Sequence, residues 1–333
     1  MTRKEINQFT VPRKSDTIAI WSCQNKRQFE ITRAEDVKST FVPSKLAEAS
    51  HQGEVLDMRV VETRDPLLAT ASSTGEISLY KSKLQASGHT DSPSIELVDT
   101  HRHHGFPNKD AAEATSLSVR PQALDEIASV GEDSRLVLLS IDNIQKSLQQ
   151  SDHIGAGFSA VCWRSSSSLA VTTKIGQLRL FDRRDIAKPI LLSTPKSYQR
   201  DPLTCVAQHP SEPFRLATGN EEGGVAVWDV RNLSHPEIAG IKVHNSIVWE
   251  VQFHPNQPDK LISCSQDGSL ATLNWRQAME DHVHDIRNTS DDSVATYWSS
   301  IRSVLSVNSL DYHNRANVLL AGSDSGGILE SVQ

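Results

Sequence analysis

Residues 214–229 read FRLATGNEEGGVAVWD, and this phrase decides the fold. An apolar strand leads into a polar tight turn that contains glycine, and an alternating strand then ends at Trp228-Asp229. Diluted copies recur along the chain at 68–80, 127–139, 169–182, 261–274 and 319–329. A unit that returns at similar spacing is the sequence signature of a repeat architecture.

In each unit, the position of the last large residue in the strand after the turn gives the period of the repeat. It falls at Trp21, Tyr80, Leu139, Phe181, Trp228 and Leu273, so by subtraction the intervals are 59, 59, 42, 47 and 45 residues. The shorter intervals match a four-stranded propeller blade of about 40–45 residues, and the longer ones indicate a blade with a loop insertion. The sequence therefore predicts an all-β protein, a seven-bladed β-propeller that occupies residues 10–332 as a single domain.

The first of the seven units is incomplete. Residues 10–22 offer one good strand, Ile18–Trp21, without the strand that precedes it in the other units. A closed ring of blades leaves no long exposed sheet edges. Closure normally uses an N-terminal strand to complete the last blade, so we expect the segment 1–9, with a strand at roughly 6–11, to pair there.

Two insertions interrupt the repeat, at about 84–113 and at about 277–303. The first is rich in Ser, Pro, His and Asp and is expected to enlarge the loop between the second and third units. The second half of the other insertion has apolar and aromatic residues at helical spacing: Val294, Tyr297, Trp298 and Ile301. This spacing predicts a short amphipathic helix that covers the last blade or docks a partner, which makes Trp298 a candidate partner-binding residue.

Composition narrows the classes of function. The 333 residues carry a net charge of −7 without a basic run, so direct binding to nucleic acid is not favoured. No stretch approaches 18 consecutive apolar residues, so no membrane span is predicted. The four cysteines lie far apart without the spacing of a disulfide framework, which favours a reducing, intracellular compartment: Cys23, Cys162, Cys205 and Cys264.

The repeats resemble the WD-repeat family over about residues 10–332. In that family a His before the first strand, a Ser or Thr in the second, an Asp in the tight turn and a closing Trp form a buried hydrogen-bonded set. The matching residues are His244, Ser263 and Asp267 in the sixth unit, where Leu273 replaces Trp, and Glu222, Trp228 and Asp229 in the fifth, which has no His. A His-Ser-Asp set also suggests a catalytic triad, but groups inside a blade that satisfy one another are better explained as structure.

Other candidate sites are weaker. His101, His103 and His104 look like a metal cluster, but their spacing matches no zinc signature and no Cys or paired carboxylate accompanies them. His104 fits the His that precedes a blade. An enzyme would need a polar cluster near the central channel, whereas the inner strands are expected to carry mostly small and apolar residues. The sequence thus predicts no catalytic residue, no cofactor and no metal.

Several strings in order narrow the resemblance further. They are VGED at 130–133, IGQLRLFD at 175–182, VWEVQFHPN at 248–256, LISCSQDGSL at 261–270 and SVLSVNSLD at 303–311. Over about residues 50–332 they resemble a WD-repeat nucleoporin of the Y-shaped outer-ring complex of the nuclear pore. The resemblance implies a non-enzymatic scaffold at the nuclear envelope that binds other nucleoporins, with a helical-solenoid subunit as a direct partner. It also implies roles in pore assembly, in RNA and protein transport, and at kinetochores in mitosis.

A second resemblance gives a rival function. The segments 181–184 and 228–231 place arginine just after a closing aromatic residue and Asp. This Asp-x-Arg pattern resembles the box of cullin-4 ubiquitin ligase substrate receptors, which implies that Arg183 and Arg231 contact the adaptor. A planar guanidinium suits such an interface, but Asp-x-Arg is common in WD repeats, and the arginines are better explained as pairing with the preceding Asp or as solvating the blade edge.

Overall fold

The computed structural model describes residues 6–10, 17–25, 41–61, 66–83, 93–108, 110–152, 157–192, 201–232, 238–278, 298–303, 305–313, 318–324 and 328–332. Within these ranges the chain forms seven antiparallel sheets, in each of which neighbouring strands are consecutive in the chain. A single helical turn lies at 275–278.

The strands follow the chain from one sheet to the next. The first three sheets contain β1 (Ile6–Thr10), β2 (Thr17–Asn25) and β3 (Phe41–Ser50); β4 (Val55–Val61), β5 (Leu67–Ser72), β6 (Glu76–Lys83) and β7 (Ser94–Arg102); and β8 (Ala114–Val119), β9 (Glu126–Gly131), β10 (Arg135–Ser140) and β11 (Asn143–Asp152). The fourth and fifth contain β12 (Phe158–Ser165), β13 (Ser168–Thr173), β14 (Leu178–Asp182) and β15 (Asp185–Leu192); and β16 (Leu203–Gln208), β17 (Arg215–Asn220), β18 (Gly224–Asp229) and β19 (Ile238–Lys242). The last two contain β20 (Val248–Phe253), β21 (Lys260–Ser265), β22 (Ser269–Asn274) and β23 (Trp298–Arg302); and β24 (Val307–His313), β25 (Val318–Ser323) and β26 (Ile328–Val332).

The sheets are the blades of a propeller. The first strands of successive blades contact one another in the order β4, β8, β12, β16, β20 and β24 and surround the axis. The outer strands β3, β7, β11 and β15 contact one another around the perimeter. The apolar core lies between adjacent blades, as where Leu79 packs in one buried cluster with Leu117 and Val137. The predicted WD40 β-propeller is confirmed.

A β-bulge recurs in the described inner strands β4, β8, β12, β16, β20 and β24, and in β8, β12 and β16 the bulged hydroxyl ties the blade to the next. The bulged residues are Leu56, Thr115, Ser159, Thr204, Trp249 and Asn308. The Thr115 hydroxyl donates to the Phe158 carbonyl of the next blade at 3.0 Å, and Ser159 donates in the same way to the Leu203 carbonyl. Because a bulge turns an extra side chain out of the ladder, it supplies a hydrogen bond that a regular strand does not.

The N-terminal strand does not lie where the sequence analysis expected it. β1 pairs with β2, with Ile6 opposite Cys23 and Thr10 opposite Ala19, whereas β26 pairs with β25 in the last sheet. The prediction that the segment 1–9 closes the last blade is therefore wrong for this strand. Pairing with the next strand in the chain closes only a short loop, which costs less entropy than pairing with a strand at the far end.

Both insertions contain the outer strand of a blade. β7 lies within 84–113 and pairs with β6, and β23 lies within 277–303, with Trp298 opposite Thr272. The helix predicted from Trp298 and Ile301 is therefore wrong for these residues, and Val294 and Tyr297 lie outside the described ranges. An outer strand needs only one ladder partner and buries few side chains, so its period-two alternation is weak.

Candidate functional site

The third blade builds a complete buried His-Ser-Asp set. His104 Nε2 lies 2.7 Å from Ser129 Oγ, and His104 Nδ1 lies 2.9 Å from Asp133 Oδ1. Burial opposes ionisation of Asp133, but the hydrogen bond from His104 and the one from the Gly105 N–H keep the pKa of this carboxyl below its ordinary value. Ser129 is 0% exposed, so no substrate can reach its hydroxyl. The set therefore holds the turn against the strand, and the Ser129 hydroxyl cannot act as a nucleophile.

The sixth blade brings together the residues that the sequence analysis selected and adds one more. His244 Nε2 lies 2.7 Å from Ser263 Oγ, while His244 Nδ1 lies 2.6 Å from Ser269 Oγ. Ser269 donates to Asp267, whose carboxylate is 3.8 Å from His244. Sequence analysis missed Ser269, although a hydroxyl residue two positions after the turn residue Asp267 could have indicated it. Burial lowers the pKa of His244 to about 4, partly offset by Asp267.

The fifth blade departs from the expected set. Trp228 is buried, and its Nε1–H donates to Thr218 Oγ1 at 2.9 Å. Glu222 is exposed on the turn, and the Gly224 N–H donates to Asn220 Oδ1 at 2.6 Å. The assignment of Glu222 to the buried set is therefore corrected to Asn220, whose shorter side chain already lies inside the turn.

Both candidate arginines form ion pairs within the protein, although the Arg231 side chain is 63% exposed. Arg183 reaches back to the preceding blade, where its Nε donates to Glu126 Oε2 at 2.7 Å. Arg231 Nε donates to Asp229, whose two oxygens lie at 2.9 and 3.0 Å, and its guanidinium stacks 3.7 Å from the centre of the Phe214 ring. In the first segment Asp182 pairs with Arg184, as Asp229 pairs with Arg231, so the arginine at the Asp-x-Arg position there is Arg184 and the choice of Arg183 is corrected. Of the third candidate, Trp298, the structure gives only its place in β23.

The central channel carries charges that sequence analysis missed. Arg59 on β4 lies 3.3 Å from Asp57 on the same strand and 3.8 Å from Glu250 on β20. Asp57 also accepts the Leu117 N–H of the next inner strand at 2.7 Å. The expectation that the inner strands carry mostly small and apolar residues is wrong at this level of the channel. Asp57 and Arg59 are two apart on one strand, so they share a face.

Glu250 is the titratable group of this cluster with the most consequence. Burial raises its pKa to about 7, although the Arg59 charge and the Leu310 N–H, 2.9 Å from Oε2, act against the rise. The charges of Asp57 and Asp311 add to the rise. The Glu250 side chain is 25% exposed, so it contacts the water of the channel.

The described residues give little support for a metal site, a reactive thiol or a membrane-spanning helix. Within the described ranges, no group of three or more His, Cys, Asp or Glu side chains could hold a metal ion. Burial raises the pKa of the Cys162 thiol to about 11 and that of Cys205 to about 12, so neither readily forms the reactive thiolate. No helix in the described part of the chain is long and apolar enough to cross a membrane.

The fold and its buried sets define the class of protein. Residues 236–271, which include the His244 set, match the family model described as "WD domain, G-beta repeat". The chain is thus a WD-repeat β-propeller.

Comparison with known proteins gives the particular family. The chain is 30% identical over 227 residues to "Nucleoporin Nup43" of Mus musculus and to "Nucleoporin Nup43" of Homo sapiens, which covers 68% of this chain and 58% of each relative. It is 27% identical over 213 residues to "Nuclear pore complex protein nup43" of Dictyostelium discoideum, which covers 61% of this chain and 50% of that protein. The chain belongs to the Nup43 family of WD-repeat nucleoporins, and it spans little more than half the length of these relatives.

Proposed function

We propose that the protein is a non-enzymatic scaffold subunit of the nuclear pore complex that binds other nucleoporins of the Y-shaped outer-ring complex. The observation that carries this proposal is the similarity to Nup43 nucleoporins over 227 residues. A helical-solenoid nucleoporin is the direct partner in this proposal. Pore assembly, RNA and protein transport, and recruitment to kinetochores in mitosis are its cellular consequences.

The geometry supports a scaffold for physical reasons. Histidines that could act as acids or bases, such as His104 and His244, are buried and bonded inside their blades. Bulge hydroxyls join neighbouring inner strands, so the ring resists distortion. Rigid elements with exposed turns present binding groups at low entropic cost.

Recovery of partners from cells tests the proposal. The tagged full chain is purified from interphase cells, and the associated proteins are identified and their stoichiometry measured. Near-equimolar recovery of Y-complex nucleoporins is the expected result, and imaging of the tagged chain in mitosis tests the kinetochore part. Recovery of no nucleoporin would refute the scaffold role.

The rival role as a cullin-4 substrate receptor gains no support from the geometry. Its two candidate contacts, Arg183 and Arg231, already bind Glu126 and Asp229. An adaptor would have to compete with these ion pairs. Recovery of a cullin-4 adaptor without pore proteins in the same purification would reverse the ranking.

A further inference from the structure

The two faces of the propeller differ in charge. One face, which we call the carboxylate face, carries the turns between second and third strands and the connections between blades. Its exposed carboxylates include Glu54, Asp110, Glu221, Glu222 and Asp324. Among the described residues of these turns and connections, Lys174 is the one Lys or Arg. The turns of the opposite face instead carry Arg120, Arg183, Arg184, Arg231 and Arg276 beside acidic residues.

Two large apolar side chains are exposed on one part of the carboxylate face. Phe106 is 38% exposed and Ile175 is 41% exposed. A continuous path joins them: the Gly105 N–H donates to Asp133 at 2.9 Å, and the neighbouring Glu132 pairs with Lys174, which precedes Ile175. Exposed apolar side chains grouped with polar neighbours are typical of protein-binding surfaces.

Negative charge is in excess between these two side chains. Burial and the charge of Glu132 raise the pKa of Glu113, and only the Lys174 ammonium acts in the other direction. Glu54 adds to the rise. The pair between Lys174 and Glu132 already demonstrates that an ammonium group fits among these carboxylates, but one cation does not balance them.

We propose that the surface formed by Phe106, Glu113, Glu132 and Ile175, which we name the docking sector, binds a segment of another nucleoporin that combines Lys or Arg with apolar side chains. The apolar residues of that segment cover Phe106 and Ile175, and its cations approach Glu113 and Glu132. Opposite charges orient the partner and speed association, while buried apolar anchors supply most of the affinity. This inference rests on the proposed scaffold function and adds the surface and the chemistry of the partner.

The same charges argue against other occupants. A nucleic acid would bring phosphates against Glu113 and Glu132 and would be repelled. A second copy of the carboxylate face would meet like charge in the same way. A basic, partly apolar protein segment is the occupant that satisfies both the charge and the exposed side chains.

The experiment compares two matched double variants in the purified assembly. Phe106→Ser with Ile175→Ser removes the apolar anchors of the docking sector. Leu148→Ser with Ile190→Ser is the control, because these side chains are 50% and 56% exposed but lie on the outer strands β11 and β15. We expect the first variant to reduce nucleoporin recovery at least about tenfold and the control to leave it unchanged, provided that thermal unfolding verifies the fold of both.

A carboxylate-to-amine cross-linker applied to the wild-type assembly supplies the second readout. Cross-links from Glu113 or Glu132 to lysines in a basic, partly apolar partner segment are expected. Full recovery with the Phe106→Ser, Ile175→Ser variant, or cross-links from this sector only to acidic partner segments, would overturn the docking inference while leaving the scaffold role intact. If the wild type recovers no nucleoporin, the scaffold role and the docking inference both fail.

Discussion

Arg59 of the second blade lies 3.8 Å from Glu250 of the sixth blade, so an ion pair spans the propeller axis between blades that are not neighbours. Both side chains retain exposure to the channel, 45% for Arg59 and 25% for Glu250. Water in the channel therefore screens the attraction, and burial of Glu250 is only partly compensated. The consequence is a carboxyl group that titrates near neutral pH.

We predict that Glu250 makes the protein less stable as pH rises from 4.5 to 7. Its folded-state pKa is raised to about 7 from 4.5, so its favourable contribution is complete below 4.5 and is lost as pH rises through 7. Glu250→Gln should remove about 1–2 kcal/mol of this pH dependence after allowance for the hydrated channel. Urea unfolding between pH 4.5 and 8 measures it. The control, Glu96→Gln, changes an exposed surface pair and should follow the wild type.

The buried histidines contribute the opposite slope between pH 4 and 6.5, a window that overlaps that of Glu250. Burial lowers the folded-state pKa of His103 and of His244 to about 4, from 6.5. The unfolded chain therefore takes up protons first, and stability falls as pH falls from 6.5 to 4. His244→Gln should cost about 1–2 kcal/mol at pH 7, because it breaks buried hydrogen bonds, and should make the acid loss shallower. Equal slopes for variant and wild type between pH 6.5 and 4 would contradict the assignment.

Sequence patterns predicted the blade units because each unit folds from local information. Alternation and a glycine-containing turn suffice to predict pairs such as β17 with β18, where Leu216 lies opposite Trp228. The outer strand β7 escaped prediction because, apart from Ile95, its residues are half-buried or exposed. No apolar alternation is then required, and composition alone suggested a loop.

The charged channel could not be predicted because it exists only after the blades assemble around the axis. Arg59 and Glu250 are far apart in the chain, and each looks like a solvated strand residue by itself. The position of β1 beside β2 is instead a local pairing, which the sequence analysis missed because it expected the N-terminal segment to complete the last blade. The role of His104 could be assigned from its position before a strand, because the residue that the local motif selects is also the one that makes the tertiary contact.

We predict that Trp228→Ala destabilises the protein by about 3–5 kcal/mol, as truncation of a buried aromatic side chain does. Trp228 is 3% exposed and gives its one donor to Thr218, so the change leaves both a cavity and an unpaired hydroxyl. Ile190→Ala is the control, because Ile190 is 56% exposed. Thermal and urea unfolding measure both variants. An unfolding midpoint for Trp228→Ala that matches the wild type would show that this tryptophan does not hold the fifth blade.

Substitution of the candidate arginines Arg183 and Arg231 should affect stability and partner binding differently. Arg183→Ala with Arg231→Ala should leave the recovery of nucleoporins unchanged and abolish any binding of a cullin-4 adaptor. It should also lower stability by about 1–3 kcal/mol, because Glu126 and Asp229 are buried carboxylates that lose an ion-pair partner. Lys188→Ala is the control, since the 86% exposed Lys188 side chain forms a surface pair worth little. Loss of nucleoporins from a folded double variant would instead place the scaffold contact at these turns, on the face opposite the docking sector.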